Sequence, residues 1–275
     1  MKKVAMIAAI VSMMAVSRAE ATPIAFVSGT GLNVAAIVPL RDAFRTAVGG
    51  GTVPGANGSF GGVRREINWD GVPDAFSAPN QLPADFFNVN SPRGVVFSTP
   101  GTGFQVSANA VPGPIDFGNI NPTYTTIFEP FTPQKLFTAL GSTITDVNFF
   151  LPGTTTPALT SAFGAIFSDV DLAGSTMEFF DVTNSSLGVF TVPFLAGNQT
   201  FSFLGVVFDS PIVSRVRITS GNTALGPNES ADHDLVVMDD FIYGEPTANA
   251  VPEPATLVLL GTGILAAVRP KRRKE

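Results

Sequence analysis

Six short apolar runs about ten residues apart, at 163–171, 175–182, 186–193, 201–208, 213–221 and 234–244, constrain this chain more than any other feature. Turn-forming stretches separate them, such as Thr-Asn-Ser-Ser at 183–186 and Leu-Ala-Gly-Asn-Gln at 195–199. Within 214–219 the residues alternate: Val216 and Ile218 share one face, and Arg215, Arg217 and Thr219 the other. Evenly spaced runs of this kind predict a mainly β protein, an antiparallel β-sandwich of jelly-roll type, with little helix apart from segments at the two ends of the chain. The 27 glycines and 22 prolines among 275 residues suit such a turn-rich fold.

Upstream the pattern is weaker. Residues 39–50 (PLRDAFRTAVGG) predict one short helix ending at Gly49, and the Gly-rich stretch 46–65 predicts a loop. That loop has Gly-x-Gly spacings, but neither the strand–Gly–helix context nor the Gly-Lys-Ser/Thr needed to cradle a phosphate. Pro73, Pro79, Pro83 and Pro92 exclude long regular elements. Residues 94–108 predict a hairpin turning at Pro-Gly-Thr-Gly, 100–103. A boundary near 134–142 would divide the body into two sub-domains, although nothing like a flexible linker lies there.

Composition removes much of catalytic chemistry. Cysteine is absent, which excludes disulfides, thiolate nucleophiles and Cys-bound metals, and the single histidine, His233, cannot build a multi-histidine site. His233 lies between Asp232 and Asp234, but no Gly-x-Ser-x-Gly elbow supplies a nucleophile. Glu66 with Asp70, or Glu178 with Asp181, has the spacing of a glycosidase pair only in the sense that any acidic β protein offers such pairs. A net charge of −6, with the basic residues clustered at the C-terminus, argues against nucleic acid as a partner. The expectation is a protein that is not an enzyme.

Two acid pairs stand out as oxygen ligands. Asp169 and Asp171 lie two apart, so on a strand they share a face and repel unless a cation or several N–H donors compensate. Asp239 and Asp240 are adjacent, so on a strand they face opposite sides. A structural calcium ion is the one cofactor these four suit, with main-chain carbonyls completing its shell. The alternative is that all four end strands and make turns. For a sugar ligand the candidate is Trp69, since a flat indole stacks on a pyranose; the alternative is a buried tryptophan.

Both ends of the chain resemble addresses. Lys2 and Lys3, the apolar run 4–16 and the small residues of Ala19-Glu20-Ala21 have the pattern of a secretory signal cleaved by signal peptidase after Ala21. The body would then be 22–249. Beyond it, Val251-Pro252-Glu253-Pro254 precedes an apolar run, 255–268, and a basic tip of Arg269, Lys271, Arg272, Arg273 and Lys274. A 14-residue helix spans about 21 Å, short of a hydrocarbon core of about 30 Å, but basic side chains that stay cytoplasmic and snorkel extend it. Taken in this order, residues 250–275 resemble the PEP-CTERM sorting signal of Gram-negative bacteria, with Pro270 interrupting the basic cluster. The resemblance implies export across the inner membrane, transient C-terminal anchoring by a short membrane helix, cutting near Pro-Glu-Pro by an exosortase, and delivery to the cell surface or medium. It also suggests a role in biofilm or exopolysaccharide organisation, with polysaccharide as a partner. The half ending in MDDFIYGEP looks like the β-sandwich ectodomains that often precede such tails, a looser likeness that carries no activity. A carbohydrate-binding module and a matrix-polymer hydrolase are the competing functions.

Overall fold

The alternating runs become strands of two facing antiparallel sheets. The structure is a computed structural model and describes residues 22–111 and 113–249. The first half of the chain contributes β1 (Pro23–Gly31), helix α1 (Val34–Val48), β2 (Ser59–Phe60), β3 (Arg64–Ile67), the single turn α2 (Phe86–Val89), β4 (Val95–Ser98) and β5 (Gly103–Val106). There follow β6 (Phe137–Leu140), β7 (Ile144–Phe149), β8 (Ala158–Leu159), β9 (Ala162–Ser168), β10 (Thr176–Phe180) and β11 (Ser186–Thr191). The last strands are β12 (Phe201–Phe208), β13 (Arg215–Thr219), β14 (Val237–Gly244) and β15 (Thr247–Ala248). The larger sheet runs β1-β12-β9-β14-β3-β2, with β6 joined to β14 and β5 to β6; the smaller runs β11-β10-β13-β7-β4.

A period of two sorts the side chains. Phe163, Ala165 and Phe167 of β9, with Leu204, Val206 and Phe208 of β12, face the core between the sheets. The smaller sheet meets them with Val147, Phe149, Met177, Phe179, Val216 and Ile218. The alternate residues Ala162, Ile166, Phe201, Phe203 and Val207 face away, onto Ile37 and Phe44 of α1, so the helix forms a third layer. Gly164 and Gly205 are partners in the register of β9 and β12. Together they leave a notch for Phe44: a Cβ on Gly205 would lie 2.5 Å from its ring, and one on Gly164 2.7 Å. Larger residues there would push the helix off the sheet.

All six C-terminal runs are strands, and α1 ends as expected at Gly49 (φ +91°), whose N–H donates to Arg45 O at 2.9 Å. Other expectations need correction. The helix starts five residues before Pro39, because the Asn33 side chain accepts from Ala36 N–H and caps it. Residues 94–108 are not a hairpin, since β4 pairs with β7 and β5 with β6. The turn at 100–103 instead carries the chain from one sheet to the other, and Phe97 and Phe104 pack together between them at 5.6 Å. Strand β6 lies inside the expected boundary at 134–142, and one continuous core joins residues on both sides of it, from Ile67 to Tyr243. Among the described residues no helix is long and apolar enough to cross a membrane.

Candidate metal centre

β9 ends at Ser168, and the next residue, Asp169, takes a left-handed backbone (φ +71°) that aspartate tolerates better than most residues. Its N–H donates to Thr200 O at 2.9 Å. The turn sends the side chain inward: Asp169 is 0% exposed, no N–H or hydroxyl donor reaches either carboxylate oxygen, and its one hydrogen-bonding neighbour is another carboxyl group, Glu229. Two residues on, Asp171 is held from both sides. Its N–H donates to Asp234 Oδ1 at 2.9 Å, and its Oδ1 accepts from Gly197 N–H at 2.8 Å. Glu229 comes from the long excursion between β13 and β14, and its Oε1 is also buried without a partner. One oxygen each from Asp169, Asp171 and Glu229 lie within 4.8 Å of one another.

This is a concentration of negative charge with no basic neighbour. Ion pairs among the described residues engage Asp42, Glu66, Asp74, Asp146 and Glu245, and none reaches the cluster. Burial, followed by the Glu229, Asp171 and Asp234 carboxylates, pushes Asp169 up to about 10. Burial likewise raises Glu229 and lifts Asp234 to about 6. Chemically, such a group can hold a proton between two carboxylates, or it can hold a hard cation.

The second acid pair is built differently. Between Met238 and Phe241 the register of β14 against β9 gains one residue, a β-bulge at Asp239 and Asp240. The bulge cancels the alternation that would have placed adjacent residues on opposite faces, and both carboxylates meet Thr132. Asp239 Oδ2 accepts from Phe131 N–H at 2.5 Å and Thr132 N–H at 3.1 Å, while Thr132 Oγ1 donates to Asp240 Oδ1 at 2.9 Å. Asp239 and Asp240 therefore pin residues 131–132 to the sheet, and the structure does not bring them to Asp169. Of the four acids expected together from sequence, the structure gathers Asp169 and Asp171 with Glu229 and leaves Asp239 and Asp240 apart from them.

Trp69 also falls to its alternative. It is fully buried, stacked on Phe137 at 4.1 Å and 3°, with its Nε1 donating to Asp239 O at 3.0 Å, so no indole face is open to a sugar. His233 is exposed on the same excursion as Glu229. Glu66 accepts from Arg45 and Arg64, and Asp70 Oδ1 from the N–H groups of Gln134 and Lys135.

Val251, Pro252, Glu253 and Pro254, the apolar run after them and the basic tip Arg269, Lys271, Arg272, Arg273 and Lys274 lie outside the described residues, as does the expected signal segment 1–21. A family model for the PEP-CTERM protein-sorting motif matches residues 250–273. This chain carries a PEP-CTERM sorting motif. The motif marks an exported protein, anchored at its C-terminus before exosortase processing. It begins directly behind the β-rich body, whose last strand, β15, ends at Ala248. No curated protein sequence matches the chain. Among solved structures, the enzymatically active domain of tailspike protein 4 of bacteriophage CBA120 is similar at 13% identity and a TM-score of 0.22. That match covers 60% of this chain and 20% of the tailspike chain, and a likeness so shallow carries no argument about the PEP-CTERM body.

Proposed function

We propose that this PEP-CTERM protein is a non-enzymatic component of the cell surface or extracellular matrix, which organises exopolysaccharide after exosortase has released its β-sandwich body. The observation that carries the reading is the sorting motif at 250–273 directly behind a folded body that reaches Ala248. The employment of the body's polar side chains supports a structural role. Glu66, Asp146 and Glu245 sit in ion pairs with arginines, Asp70 and Asp239 hold main-chain N–H groups, and His233 is exposed.

The test is made in an exosortase-bearing Gram-negative host. The wild-type body should reach the surface or medium, and a chain with Pro252→Ala, Glu253→Ala and Pro254→Ala should remain with the inner membrane. Deleting the protein should reduce the exopolysaccharide retained by the biofilm, and the purified chain should release no reducing ends from that polymer. Release of the triple variant at the wild-type level would contradict the sorting reading. Polymer cleavage that a single acid substitution abolishes, in a folded protein, would replace the matrix reading with a hydrolase.

A further inference from the structure

The geometry points to a calcium ion held by Asp169, Asp171 and Glu229 at the end of β9. Two independent observations meet there. The first is the convergence of three carboxylates, one oxygen each, within 4.8 Å of one another. The second is that Asp169, which supplies one of those oxygens and has none of its side chain exposed, has no N–H or O–H donor to either carboxylate oxygen. Asp239 shows what this protein does when it buries an acid for structure alone: it supplies N–H donors. Asp169 has none, and the titratable groups facing it are Glu229, Asp171 and Asp234, all acidic. An acid buried among acids must either keep a proton or meet a cation, and a hard cation bound to all three carboxylates compensates their charge together.

The donor set selects the ion. Three carboxylates with no nitrogen or sulfur suit a hard divalent cation. Calcium accepts irregular sets of carboxylates at about 2.3–2.6 Å, whereas magnesium demands a near-ideal octahedron at about 2.0–2.1 Å and keeps several of its waters, so a cluster built on three carboxylates suits calcium better. Calcium takes about 6–8 oxygens, so the three carboxylates leave positions for bidentate coordination, main-chain carbonyls or water. An exported body also meets calcium at the concentrations for which extracellular sites are tuned, about 0.1–1 mM.

Bound there, the ion would join three segments distant in sequence. Asp169 and Asp171 stand at the end of β9, Gly197 and Thr200 reach the same turn through hydrogen bonds, and Glu229 belongs to the excursion between β13 and β14. The excursion is already tied on its other side, where Tyr124 Oη donates to Pro227 O at 2.8 Å and Asn121 Nδ2 to Asn228 Oδ1 at 2.8 Å. On the β9 side, where the Asp171 N–H already reaches Asp234, calcium adds a second tie through Glu229, so the loops at this end of the sandwich become ordered outside the cell.

The test is thermal unfolding of the full chain, purified in detergent and stripped of calcium with EGTA. At calcium tenfold over Kd the midpoint should rise by about 3–5 °C. Asp169→Asn and Glu229→Gln should each abolish the rise, and calcium-free Asp169→Asn should melt no lower than the calcium-free wild type, because the amide relieves the repulsion. Should Asp169→Asn fail to fold, Asp171→Asn, whose side chain is half exposed, decides the matter with the same expected loss. Asp85→Asn, an exposed acid elsewhere, should keep the full rise. Amide exchange across 222–234 should slow with calcium in the wild type only. The proposal is overturned by no shift up to about 10 mM calcium, well above extracellular affinities, by a shift that survives both cluster variants, or by an equal response to magnesium.

Discussion

Asp169–Asp171 and Asp239–Asp240 are two pairs of the same residue type, near the ends of neighbouring strands, with opposite surroundings. Asp239 is fully buried, yet two main-chain N–H groups and the Thr132 hydroxyl point at it. Asp169 is equally buried and meets only other carboxylates. What separates a structural acid from a ligand is therefore the supply of donors, not the acid, its burial or its sequence spacing. The bulge in β14 delivers Asp239 and Asp240 to donors; the left-handed turn after β9 delivers Asp169 to Asp171 and Glu229.

That contrast can be broken or sharpened by substitution. The largest effect is expected for Trp69→Ala, which empties the aromatic centre formed with Phe87, Phe97, Phe137 and Phe241 and should cost about 3–5 kcal/mol by denaturant unfolding. It should leave the calcium-induced shift intact, since the indole supports the Asp239 side of the comparison. Asp239→Ala strands the N–H groups of Phe131 and Thr132 and should cost about 2–4 kcal/mol, with or without calcium. Calcium removal should lower the midpoints of wild type and Asp240→Asn by the same amount, about 3–5 °C, because Asp240 belongs to the donor-satisfied pair.

The smallest effect concerns a third buried acid. Asp116 is 3% exposed, its Oδ1 lacks a partner, and burial followed by the Glu129 charge lifts it from 3.8 to about 7. Below 3.8 the group is protonated both folded and unfolded. Between 3.8 and about 7 only the folded state keeps the proton, so its contribution to stability falls as pH rises and the full cost is present above about 7. In calcium-free buffer, Asp116→Asn should therefore stabilise the protein near pH 8 and leave it unchanged near pH 3, read as the difference between the two melting curves. A gain at the lower pH would contradict this account.

Sequence made the fold class legible because a sandwich repeats short strands between turns and writes its period of two most plainly into those with one solvent-facing side, such as β13. Val216 and Ile218 face the core between the sheets while Arg215 and Arg217 both pair with Asp146 on the other side, as alternation requires. Strand β1 escaped notice because Pro23–Gly31 is an edge strand with mixed burial and a clear pattern on neither face. The 94–108 crossing was misread because turn chemistry at 100–103 reports a reversal, not which sheet the next strand joins. Half of the acid site was visible in the Asp169–Asp171 spacing. Glu229 and Asp234 were not, since they lie some sixty residues away and reach β9 only through the pairing of β14 beside it. The bulge that redirected Asp239 and Asp240 is a register event between strands, and nothing local in Met-Asp-Asp-Phe announces it.

The most direct test of the contrast between the acid pairs is calcium stoichiometry, measured by titration calorimetry on the EGTA-stripped full chain. One calcium per wild-type chain, one per Asp240→Asn chain and none per Asp169→Asn chain is the expected pattern. Binding that survives Asp169→Asn, or is lost in Asp240→Asn, would contradict the claim that donors, and not acids, decide which pair awaits a cation.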